Sequence, residues 1–131
     1  EFKALIIDQV LDWSNEVTNK IAPSIRAAMR EKDLEKSKKL RKEFIDKDLH
    51  PWFSYLEKLF DECSAKKVFF NYKFSIADIT AWRMIQWFCS GKLEHVDQNF
   101  IKKFPLLESF YDKMNKNNSF IILNEYKEII S

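Results

Sequence analysis

Proton transfer, metal ligation and thiol attack need histidines, cysteines or carboxylates in particular company, and this sequence offers little of it. His50 and His95 stand far apart, with no cysteine or acidic cluster at metal-ligand spacing. Both read as structural or surface residues rather than catalytic ones. Cys63 and Cys89 fit neither a disulfide framework nor a zinc site. No fixed positive charge stands near enough in sequence to lower a thiol pKa, so both are expected to be inert core thiols. Asp78 belongs to Ser75-Ile76-Ala77-Asp78, where its work is structural. Ser75 can cap a helix N-terminus and Asp78 can reach back to the Ser75 N–H, a capping box with Asp in place of Glu or Gln. Phe74 and Ile79 are spaced for a hydrophobic staple across it. Asp8, Asp12, Asn15 and Glu16 recur at intervals of three and four, which puts them on one side of a helix. On the residues alone a solvated face is the preferred reading of that row.

The elements that must position these groups are helical. The chain has one glycine and three prolines, too few turn formers for a sandwich or barrel. Phe2, Ile6, Val10, Trp13, Val17, Ile21, Ile25 and Ala28 form one helical stripe from about Phe2 to Arg30. Pro23 lies inside it and predicts a kink or break near Lys20. Residues 30–42 are charge-dense, with Asp33 as a cap. Leu40, Phe44, Leu49, Trp52, Phe53, Leu56, Leu59, Phe60 and Cys63 continue as a strong stripe, with a second kink expected at Pro51. A connection from Ser64 to Lys73 leads to a central helix after Ser75, apolar nearly all round and ended by Ser90-Gly91. Pro105 suits the first turn of a further helix, striped by Leu106, Leu107, Phe110, Tyr111 and Met114. Asn115 to Asn118 reads as a turn, and Phe120 to Ile130 as a last short helix. The expected fold is all-α, a bundle of about five helices around the one after Ser75.

Composition bounds the partners. Hydrophobic residues make up 46% of the 131, enough for one domain with a sizeable core. Lys and Arg number 22 against 20 acidic residues, which gives no general attraction to nucleic acid or an acidic membrane. Glu31, Asp33, Glu35 and Glu43 interleave with the basic run Lys36 to Lys42, so that run reads as a solvated helix with i,i+4 pairs. No apolar run approaches the ~20 residues needed to span a bilayer. No signal peptide is visible, and a reduced, cytoplasmic setting is expected. The first residue is Glu1, so the chain reads as a fragment, with Glu1-Phe2 a possible cloning remnant.

Three stretches stand out together: Phe69-Phe70 through Asp78, then Ser90-Gly91-Lys92-Leu93-Glu94-His95-Val96 with Phe104-Pro105-Leu106-Leu107, and Ile7-Asp8-Gln9-Val10-Leu11-Asp12-Trp13. In order and spacing they resemble the C-terminal helical domain of glutathione transferases. The second is similar to sigma-like members. Asn71 stands where the family usually has glycine, and asparagine tolerates the left-handed backbone best among the other residues. Residues 1–131 would then be one helical domain without the family's thioredoxin-like domain, which binds glutathione and activates its thiol. The resemblance implies a cytoplasmic homodimer that conjugates glutathione to small electrophilic, apolar substrates. No metal, nucleic acid or membrane partner is implied. It places Glu16, with Asp12 one turn earlier, near the glutathione amino group across the dimer. It assigns the substrate wall to Trp13, Val17, Thr80, Met84 and Tyr126. Trp13 and Met84 are better explained as core, whereas Lys20 and Thr80 are polar within apolar runs and so better pocket residues. No catalytic residue is expected in these 131. The alternative is a non-catalytic interaction module, as helical domains of this family form in translation factors and tRNA synthetase assemblies.

Overall fold

The first long helix buries Ile6, Val10, Trp13, Val17 and Ile21 along one face, the stripe that the spacing predicts. In the computed structural model, which describes residues 2–63, 69–70 and 73–116, this helix is α1, Phe2–Met29. Pro23 lies within it, yet the helix is not broken. The proline removes one backbone bond. Buried Ile21, Ser24 and Ala27 hold the helix on both sides of it, and tertiary packing outweighs the local loss.

A four-residue connection leads to α2, Leu34–Phe44. Asp33 caps it as expected, accepting the Lys36 N–H at 3.0 Å. The helix then widens into a π-helical segment, Ile45–Leu49, and continues as α3, His50–Cys63. The π turns end one residue short of Pro51, whose ring would crowd the carbonyl four residues back and cannot donate to it. Pro51 therefore coincides with a change of helix pitch rather than a gap.

The central helix α4, Ile76–Cys89, starts at the capping box. Ser75 is extended, and its hydroxyl accepts the Ala77 N–H at 3.3 Å. Asp78 Oδ2 accepts the Ser75 N–H at 2.8 Å, and Oδ1 accepts the Phe70 N–H at 2.9 Å. The second bond ties the preceding loop to the helix. Phe74 packs edge-on to Phe69, with ring centroids 5.6 Å apart. Buried in this way, Asp78 has its pKa pushed up to about 6 despite those donors. Ser90 ends α4, and Gly91 follows at φ +81°, the left-handed backbone glycine tolerates. A Cβ there would come within 2.6 Å of the Gln98 amide.

A 3₁₀ turn, Phe100–Lys103, precedes α5, residues 105–116. Glu57 of α3 caps α5, accepting the Leu106 and Leu107 N–H groups at 2.8 and 3.2 Å. Asn115 is the last turn of α5 rather than the start of a loop: its Oδ1 accepts the Trp82 Nε1–H at 2.9 Å. The expected helix from Phe120 to Ile130, and Asn71 in the connection, lie outside the described residues.

Aromatic rings fill the centre. Phe53 meets Trp13, Phe88 and Phe100 edge-on at centroid distances of 5.3, 5.2 and 4.8 Å. A second group joins Phe60, Phe70 and Phe110 at 5.0–5.4 Å. Each such pair adds about 0.5–1.5 kcal/mol beyond the area it buries. The described residues form an all-helical bundle.

Candidate functional site

Of the five α1 residues assigned to a site above, Asp12, Trp13 and Glu16 meet at one place, whereas Val17 and Lys20 do not join them. A cleft of about 490 Å³ opens between α1 and the start of α3. Asp12, Trp13 and Glu16 of α1 form one wall with Gln9, and Pro51, Trp52 and Tyr55 form the other. The two walls are tied together, because the Trp13 Nε1–H donates to the Trp52 carbonyl at 2.7 Å. That bond uses a buried indole to fix where α3 begins relative to α1. Trp52 in turn lies edge-on to Tyr55, at 6.4 Å and 74°.

The cleft offers negative charge beside aromatic surface. Its two charged groups, Asp12 and Glu16, are both acidic, exposed and one helical turn apart. Trp52 is half-buried and Tyr55 is 42% exposed, so aromatic faces are open to a ligand. Carboxylates beside aromatic rings suit an ammonium group, by ion pairing and by attraction to the ring faces. Among the described residues that line the cleft none is a thiol, imidazole or basic group. Among the described residues no cluster of His, Cys, Asp and Glu could hold a metal.

The other assigned residues lie apart from it. Val17 is fully enclosed, and Met84 is 8% exposed, both within the core. Lys20 is exposed on α1 and Thr80 half-buried on α4, and neither lines this cleft. Tyr126 lies outside the described residues. His50 is exposed, its Nδ1 3.3 Å from the Ser54 hydroxyl and its ring over Phe104. His95 is exposed, in a turn with φ +70°. Burial pushes the Cys89 thiol up to about 11, which leaves it unreactive near neutral pH.

Trp52 and Tyr55 were not singled out from the sequence. The signal was present, since they are three apart on the strip next to the buried Phe53 and Leu56, but a strong apolar stripe conceals which of its edge residues face a cleft. Arg41 was misread. It sits in a basic run that reads as solvated, yet it is 5% exposed. Its Nε–H donates to the Ser24 hydroxyl and Nη1 donates to the Glu94 carbonyl, each at 2.8 Å. Its neighbours Lys38, Lys39 and Lys42 are exposed, as the pattern implies.

The sequence profile of one family, the glutathione S-transferase C-terminal domain, matches residues 19–121. That range includes Lys20, Ser75, Asp78, Thr80 and Met84, and begins after Asp12, Trp13, Glu16 and Val17. No curated protein and no solved structure matches the chain.

Proposed function

The chain belongs to the glutathione S-transferase C-terminal domain family, and from that membership we propose that it is the helical half of a cytoplasmic, homodimeric glutathione transferase of sigma-like type. It would work beside a thioredoxin-like half that binds glutathione and activates the thiol. The reaction would join the glutathione sulfur to a small electrophilic, apolar substrate, the thiol proton being released. This half would supply part of the substrate wall, a dimer surface and the acidic edge formed by Asp12 and Glu16.

The observation that carries the reading is the cleft between α1 and α3. Glutathione carries one ammonium group, and the cleft presents two carboxylates beside Trp52 and Tyr55, with no base among its described lining residues. Glu16 is the residue proposed to hold that ammonium across the dimer, with Asp12 beside it. Lys20, Thr80 and Tyr126 are proposed for the substrate wall, with Trp13, Val17 and Met84 as the packing behind it.

The test separates binding from chemistry. The chain alone should neither retain glutathione nor conjugate it to a model electrophile, since none of the cleft's side chains can stabilise a thiolate. Joined to a thioredoxin-like glutathione-binding half, it should conjugate. Glu16→Ala should then raise KM for glutathione more than it lowers kcat, as expected when ground-state binding is lost. Conjugation by the chain alone would overturn this division of labour. A joined protein that stays inert while holding translation proteins would favour the interaction-module reading.

A further inference from the structure

Farther along α1, about two and a half turns beyond Glu16, a second pocket of about 370 Å³ opens between the end of α1, the start of α2 and the turn after α4. It shares no lining residue with the cleft at Trp13. Ile25, Met29, Leu34 and Trp87 make its apolar wall, and Arg41 lines it from within the bundle. Such a volume lies within the roughly 300–1,000 Å³ of small-molecule sites.

Arg41 is what distinguishes this pocket. A guanidinium carries five N–H donors and a charge that does not titrate away in a protein. Its bonds to Ser24 and Glu94 occupy two donors, and among the described residues no third acceptor and no carboxylate within 4 Å meets the rest. A guanidinium buried to this extent without a counter-ion is costly. The Glu94 carboxylate acts on it only from a distance, and Lys92 and His95 also line the pocket. At the mouth, Met29 is 73% and Leu34 69% exposed, two large apolar side chains left to water. A buried cation with spare donors beneath an uncovered apolar wall is complementary to one kind of molecule.

We propose that this pocket binds an amphipathic carboxylate, its head group on the spare N–H groups of Arg41 and its tail against Ile25, Met29, Leu34 and Trp87. The inference does not depend on what the Trp13 cleft holds. A purely structural arginine, clamping α1 and the 93–96 turn onto α2, would show no preference for a charged ligand.

Decanoate, decanol and acetate separate the two by calorimetric titration of the full chain. Decanoate should bind once per chain, at least about tenfold tighter than decanol, with no measurable binding of acetate. Leu34→Glu, at an exposed position, should weaken decanoate at least about tenfold by charging the tail wall. Glu94→Gln should tighten it about two- to fivefold by removing a competing negative charge. If Arg41→Gln folds, decanoate and decanol should become equal, whereas Arg41→Lys should keep a preference for decanoate. Equal binding of decanoate and decanol by the native chain would overturn the proposal. So would decanoate binding that ignores both Leu34→Glu and Glu94→Gln, or no decanoate binding at all.

Discussion

Among the described residues two charged side chains are buried, Asp78 at the start of α4 and Arg41 in α2, and they are satisfied in opposite ways. Asp78 is fully enclosed and draws its donors from Phe70 and Ser75, all within eight residues of itself. Arg41 finds its acceptors on Ser24 and Glu94, 17 and 53 residues away. The carboxylate is held by a motif that any copy of the local sequence would form. The guanidinium is held only once three separate elements have met, and it keeps donors to spare. A locally satisfied charge specifies where a helix begins. A charge satisfied at long range, and only in part, leaves chemistry for something else to complete.

The largest expected effect lies on the local side. Asp78→Ala should destabilise the fold by about 2–4 kcal/mol in denaturant melts, because the Phe70 and Ser75 N–H groups lose their acceptor inside the protein. Ser75→Ala should cost about 0.5–2 kcal/mol, and the double variant less than the sum, since both side chains serve one motif. Additive effects would show that the two act separately.

Acidity gives the next effect. The Asp78 carboxyl has a folded pKa of about 6, above its unfolded value of 3.8. The folded state therefore binds more protons between those values, and stability falls as pH rises from about 4 to about 6. At ~1.4 kcal/mol per pKa unit the drop is on the order of 1–3 kcal/mol. Asp78→Asn should remove that component from the stability-versus-pH curve. An unchanged slope in the variant would mean that the hydrogen bonds to Asp78 outweigh its burial.

Arg41→Met should be milder, about 1–2 kcal/mol in the same melts, since an apolar replacement fills the space but leaves the Glu94 carbonyl and Ser24 hydroxyl to find other partners. A loss as large as that of Asp78→Ala would erase the contrast between the two charges. Smallest should be Glu57→Gln, about 0.5–1 kcal/mol, because the amide oxygen still accepts from Leu106 and Leu107 but without the charge that favours a helix N-terminus.

The same contrast explains what could be read from the sequence. The α1 stripe, the Asp33 cap, the Ser75–Asp78 box and the Pro105 start are local patterns, and the structure has all four. Arg41 escaped because burial is decided by what arrives from α1 and from the turn after α4, not by its lysine neighbours. The Trp52–Tyr55 wall escaped for a related reason: their spacing says helix, while only the Trp13 bond to Trp52 says which edge of α3 opens beside α1. Asp12 and Glu16 were legible as one row because a single helix carries them, though the residues alone favour a solvated face and only the family resemblance points to glutathione; Trp13 reads as core from the stripe, and it is buried. Pro51 was legible as a disturbance but not as its kind, since a kink and a widened turn answer the same missing donor.

That widened turn has a consequence for how the gene can vary. Phe44 and Leu49 both face the core although they are five positions apart, because the π segment takes up one residue more than an α-helix would. Removing one residue from 45–48 would leave a spacing of four, and both side chains would still point inward along an ordinary helix. Removing one residue within α1 or α4 would instead swing everything downstream by about 100° and turn core to solvent. The stretch before Pro51 is thus the place in the long helices where a three-nucleotide deletion is most readily absorbed, a frame slip the fold already contains in the opposite sense.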